Sequence, residues 1–172
     1  MKRWGERLAV LAALGFLCLM VWTGRPMQQA QLVTFEPAGV MREPPAAVTG
    51  VTLSRGGAQR ILAKTPDGNW TSNGKPLPAA LASPLALAIK FLHTARPLRE
   101  LGTDAADTGY GFDAKALRVE VARAGQPPLT LVFGKPGTEP TTQYLAGEAD
   151  GKVWLASRFV GEAWEAVWDD LR

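Results

Sequence analysis

Few residues in this chain have types that could support chemistry. His93 is the only histidine. A nucleophilic triad would need it beside an activated serine, yet no Gly-x-Ser-x-Gly elbow occurs, and one imidazole does not make a zinc site. Its position late in a helical stretch suits a surface or capping histidine favoured by the helix dipole. Asp104, Asp107 and Asp113 cluster around Gly109 and Gly111, a set that could hold calcium or supply the acid and base of a hydrolase. Their spacing is not the alternating Asp-x-Asp-x-Asp-Gly of a calcium loop, so turn-forming or solvated carboxylates are the expectation. Gly134-Lys135-Pro136-Gly137-Thr138 echoes a phosphate loop. The motif's first glycine would fall at Leu129, and Pro136 replaces the required hydroxyl residue, so a turn between strands is expected. Asn69-Trp70-Thr71 matches a glycosylation sequon but sits in a hairpin. Tyr110, Tyr144 and Trp154 remain as an aromatic platform for a ligand. Aromatics in strands are usually core, but Trp154 is out of phase with Val153 and Leu155, and so emerges on the other face. That places it either under a helix or in contact with a partner. No catalytic residue, cofactor or metal is assigned.

The scaffold for these side chains comes after a basic N-terminus. The formal charge of +3 is concentrated there, in Lys2, Arg3 and Arg7 against Glu6, leaving 16 basic and 15 acidic residues in the remainder. Without a clustered basic face, nucleic acid is not an expected partner. Leu8 to Gly24 is a run of uncharged residues near the short end of what spans a bilayer, with Trp4 and Trp22 suited to its interfaces. Thr23-Gly24-Arg25-Pro26 is a poor cleavage site, and bulky Leu17 before Cys18 argues against lipidation. The run is therefore expected to be an uncleaved signal anchor, with residues 1–7 cytoplasmic by the positive-inside rule. Cys18 is the only cysteine, so no disulfide or thiolate site is available in residues 25–172. The proline-dotted segment 25–47 is expected to be a stalk, and residues 48–172 the extracytoplasmic domain.

Within that domain the alternation of Val51 and Leu53, the Gly56-Gly57 turn and Ile61 to Ala63 predict a hairpin. Thr65-Pro66-Asp67-Gly68-Asn69 predicts a second turn leading into Trp70, and Asn73-Gly74 a third. Ser83-Pro84 predicts a helix start. Leu85, Ala88, Ile89 and Leu92 form its stripe, and Pro97 ends it. Leu98 to Leu101 reads as a short strand. Leu117, Val119 and Val121 alternate with Arg118, Glu120 and Ala122, as Leu129, Leu131 and Phe133 do with Thr130 and Val132. Ser157 opens a last helix with the stripe Val160, Trp164, Val167, Trp168 and Leu171. Its two tryptophans are either core or a partner surface.

In order along the chain, Asp67-Gly68-Asn69-Trp70, the Ser83 to Thr94 helix, Tyr110-Gly111-Phe112, Leu117 to Val121, Phe133-Gly134, Tyr144 and Val153-Trp154-Leu155 resemble the domain of unknown function 4340 family of bacterial membrane-anchored proteins. The resemblance covers most of residues 48 to 160, with Phe112 for the usual Leu and Trp154 for the usual Tyr. Such proteins are often encoded near gliding-motility-type ABC exporter components, which implies an accessory role at a membrane complex. The family offers no catalytic residues to carry over.

The expectation is an α+β fold: an antiparallel sheet with one helix packed on it and a C-terminal amphipathic helix, preceded by a single transmembrane helix. The expected function is a non-enzymatic accessory or assembly subunit at the inner membrane, its domain in the periplasm or cell exterior. It would bind another envelope protein, such as an exporter component, through a sheet edge or through Trp154, Trp164, Trp168 and Tyr144. The alternative is a glycan- or ligand-binding module using Tyr144 and Trp154. A hydrolase built on the three aspartates is a third reading.

Overall fold

The computed structural model of the chain describes residue 4 and residues 11–22, 37–103 and 108–171. It comprises two compact units, Met1–Glu36 and Pro37–Arg172. In the first, residues 11–22 form helix α1, exposed along its length. Cys18 is a free, exposed thiol. Among the described residues no helix is long and apolar enough to cross a membrane. At 1.5 Å per residue, α1 spans about 18 Å, against about 30 Å of hydrocarbon. The rest of the expected anchor, residues 8–10 and 23–24, lies outside the described residues.

The second unit is α+β. Its strands are β1 (Val48–Arg55), β2 (Ala58–Lys64), β3 (Trp70–Ser72), β4 (Lys75–Pro76), β5 (Arg99–Gly102), β6 (Leu117–Arg123), β7 (Gln126–Pro136), β8 (Thr142–Gly147) and β9 (Val153–Ser157). Helices α2 (Ala79–Thr94) and α3 (Arg158–Asp170) follow β4 and β9. All nine strands pair antiparallel in one sheet, ordered β4-β3-β2-β1-β6-β7-β8-β9-β5. Period-two alternation sends Val51, Leu53, Leu117, Val119, Val121, Leu131 and Phe133 to one face. There they meet Leu85, Ala88, Ile89 and Leu92 of α2 and Val160, Trp164, Val167 and Trp168 of α3 in one core. The helices touch each other through Phe91 and Phe159, rings edge to face at 4.8 Å.

The sheet has an internal two-fold. Val51-x-Leu53-x-Arg55-x-Gly57 in β1 and its turn recurs as Val119-x-Val121-x-Arg123-x-Gly125, and Gly57 and Gly125 both take positive φ. The register obeys the same symmetry: Val51 pairs with Val121 and Leu53 with Val119, about an axis at the Thr52–Glu120 pair. Each half is a four-stranded meander followed by a helix. β5 lies outside this scheme, carried to the far edge beside β9.

Three expectations change. Residues 37–47 are not a stalk: they strap across the C-terminal end of α2. The Gly39 N–H donates to the His93 carbonyl at 3.0 Å and the Met41 N–H to that of Leu92 at 2.9 Å. Helix-end carbonyls that lack intrahelical partners are thereby satisfied, and Met41 is fully buried in the core. Second, α2 begins at Ala79 rather than Ser83, with Pro84 inside it. Pro84 cannot donate to the Ala80 carbonyl, and the buried face of Leu81, Leu85, Ala88, Ile89 and Leu92 outweighs that loss. Third, Gly134 to Pro136 end β7 in a bulge against β8 instead of forming a turn.

The bulge is shaped by what lies on it. A Cβ on Gly134 would fall on the Tyr110 carbonyl and 2.7 Å from the Phe112 ring, so only glycine lets Tyr110-Gly111-Phe112 cross this strand. Gly111 itself has φ +76° and lies against Lys135. On the far side, the Gln143 amide donates to the Gly134 carbonyl at 2.8 Å, and Gln143 is buried beneath Gly161 of α3.

Candidate functional site

The sequence-derived contact residues separate into three places. Trp164 is fully buried and Trp168 is 5% exposed, so both belong to the core and offer no surface to a partner. Their spacing of four puts them on the face of α3 that covers the sheet. Trp168 is sealed by Arg60, whose guanidinium stacks 4.1 Å from the ring centre and donates to the Trp168 carbonyl. Arg55 also lies over the ring, 5.8 Å from its centre, and reaches Glu165 at 3.3 Å.

Tyr144 and Trp154 do not form a common platform. Tyr144 pairs with Leu155, and Trp154 with Leu145. The pleat therefore puts the two aromatics on opposite faces. Tyr144 packs on Tyr110, ring centres 4.9 Å apart, and Tyr110 on Phe112 at 5.8 Å. Tyr110 and Phe112 pack with Val132, Ala146 and Val153 in a second, small apolar cluster on the face away from the helices.

Trp154 is half-buried on the helix side and forms one wall of a cleft of about 570 Å³ at the β5 edge. Ala38, Arg96, Pro97, Leu98, Arg99 and Glu100 complete it. Leu98 is 58% exposed. Arg96 and Arg99 are both exposed, and among the described residues neither has a carboxylate or hydrogen-bond partner. Glu100 is engaged by Lys152 at 3.7 Å. A second cleft, of about 580 Å³, lies beside Trp70, Asp67 and Asn69. Volumes in this range suit one or a few side chains of a partner, or a small ligand.

The remaining candidates are structural. The Asp113 carboxylate accepts the Lys115 N–H at 2.8 Å in a local turn; Asp104 and Asp107 lie outside the described residues. Among the described residues no group of three or more metal-ligating side chains comes together. His93 Nδ1 is 3.2 Å from the Met41 carbonyl, holding the strap to α2. A partly buried ion pair fixes the same strap at its other end: Arg123 Nη1 donates to Glu43 Oε2 at 2.6 Å. This hydrogen bond, with the charge of Arg123, holds the Glu43 carboxyl below the ordinary carboxylate range.

Sequence reasoning missed Arg96, Leu98 and Arg99. Pro97 reads as a helix breaker and nothing more, yet two arginines bracketing a proline and a leucine just before a short strand are the signal of an exposed edge with a charged rim. Compared with family models, with curated proteins and with solved structures, the chain gives no match.

Proposed function

We propose that the chain is a single-pass, membrane-anchored accessory subunit whose folded domain, Pro37–Arg172, stands outside the cytoplasm and binds another envelope protein. An anchor over residues 8–24 is supported by the uncharged run and by Lys2, Arg3 and Arg7 on its short side. The motif order that resembles the domain of unknown function 4340 family points to an ABC exporter component as the partner. The observation that carries the binding reading is the Trp154 cleft. It joins a half-buried indole, an exposed leucine and two arginines without a partner among the described residues, beside the last strand of the sheet. Aromatic and arginine side chains around a concave apolar spot are what protein contact sites concentrate.

The test uses the full-length chain in cells, with a photo-crosslinking residue placed at Leu98 and, as control, at Leu87, which is also exposed but lies on α2. One reproducible membrane-protein adduct at Leu98 and none at Leu87 is the expected result. Equal or no adducts at the two positions would sink the reading.

A further inference from the structure

We infer that the β5 edge takes its partner by strand addition, and that the added strand is an extended segment of another protein in which acidic and apolar residues alternate. The inference rests on the accessory reading above and adds to it the mode of contact and the chemistry of the partner.

The two outer edges of the sheet are not equivalent. β4 is two residues long and contains Pro76, which has no N–H to offer a neighbour, and Lys75. Short length, proline and lysine are the devices that keep an edge from pairing. β5 is twice as long and lacks proline, and no described strand lies beyond it. The internal two-fold sharpens the contrast. β4 and β9 are the equivalent fourth strands of the two meanders, yet β4 is itself the outer edge, whereas β9 carries the added strand β5 outside it.

Charge selects what can pair there. Glu100 is neutralised by Lys152, whereas Arg96 and Arg99 have no partner among the described residues. A second copy of this chain would bring its own Arg96 and Arg99 to the same edge, like against like. A segment with a carboxylate opposite Arg99 gains an ion pair, and Arg96, just before the strand, adds to the positive charge that steers it toward the edge. Alternation then sends the intervening side chains to the other face. On the helix side they find Leu98 and the half-buried Trp154 in a cleft large enough for them. Backbone pairing supplies affinity and the cleft supplies selection, the usual division of labour in strand addition.

The experiment is amide NMR and hydrogen exchange on the full-length chain in neutral detergent micelles. It is titrated with an acetylated octapeptide of alternating glutamate and valine, and with the same peptide carrying lysine for glutamate. The expected result is that the glutamate peptide shifts and protects the amides of Arg99–Gly102, and that the lysine peptide does not. Arg96→Glu with Arg99→Glu should weaken the glutamate peptide about tenfold, the effect of losing one exposed ion pair and reversing the charge beside it, and should admit the lysine peptide. The double variant lies at the exposed rim, and an unchanged remainder of the spectrum confirms its fold. Equal affinity for both peptides, shifts away from β5, or no binding at millimolar peptide would overturn strand addition. So would a larger response of the same amides to vesicles of phosphatidylglycerol, which would assign the arginines to a lipid surface. If Leu98 crosslinks an envelope protein in cells while the peptides leave β5 unchanged, the accessory reading stands and the strand-addition mode falls. If the glutamate peptide protects β5 and Leu98 yields no adduct, the edge is a strand acceptor and the envelope partner falls.

Discussion

Replacing Gly39 by alanine tests whether the strap belongs to the cooperative fold. A Cβ at this position would lie 2.5 Å from the His93 carbonyl carbon and 2.7 Å from its oxygen, and closer still to the Leu92 oxygen. All three are backbone atoms of α2, so the strap must move. Moving it breaks the Gly39 and Met41 amide hydrogen bonds to α2, worth about 1 kcal/mol each. It also draws Met41 partly out of the core, where complete removal of such a side chain costs about 2–5 kcal/mol. The expected loss is about 3–4 kcal/mol, a large share of the 5–15 kcal/mol typical of a domain. Gly57→Ala is the control, because nothing lies within 4 Å of its Cβ and only the left-handed backbone is strained, by about 1–2 kcal/mol. Urea unfolding of the full-length chain should show a midpoint lowered by about 1.5–2 M for Gly39→Ala, with a slope of about 2 kcal/mol/M. A shift no larger than that of Gly57→Ala would refute the reasoning. So would loss of exchange protection at Met41 with an unchanged midpoint, since the strap would then open alone.

Three further outcomes rest on the same geometry. Glu43→Gln should destabilise by about 1 kcal/mol near neutral pH, the scale of a partly exposed ion pair. Because the folded-state pKa of Glu43 is lowered, this stabilisation is complete above the ordinary carboxylate range and drains away as pH falls through the lowered value. Urea midpoints of the two proteins should therefore converge in acid. Arg60→Ala removes the stacking on Trp168 and a cation at the C-terminal carbonyls of α3; a loss of about 1–2 kcal/mol with a red-shifted tryptophan emission is expected, and an unshifted spectrum would count against the packing. Trp164→Ala should cost about 3–5 kcal/mol by the same urea assay, and a variant as stable as the parent would return that tryptophan to the surface.

What the chain discloses before folding is mostly what depends on near neighbours. Leu117, Val119 and Val121 declare their face by alternation, Asp67-Gly68 and Asn73-Gly74 declare turns, and Trp154 declares by parity that it opposes Leu155. The strap is illegible because its partners, the carbonyls of Leu92 and His93, are distant in sequence and carry no side-chain signal. The start of α2 is misleading because Ser83-Pro84 imitates a cap, while Leu81 already belongs to the buried stripe. Whether Trp164 and Trp168 face inward depends on the sheet they cover, and Arg55 and Arg60, which flank Trp168, come from the opposite end of the domain sequence. The cleft at the β5 edge is legible only at Trp154. Its arginines gain meaning from β5 being outermost, which is a property of the topology.

The two-fold of the sheet also dictates a timetable. Each meander closes through hairpins between consecutive strands, whereas the seam between β1 and β6 joins strands separated in sequence by β2 through β5. Loop-closure entropy makes such a junction slow to form. β5 cannot dock before β9 exists to receive it. The edge that would meet a partner is thus among the last parts of the domain to form, so a partner strand waiting at the membrane would find no acceptor on an unfinished chain.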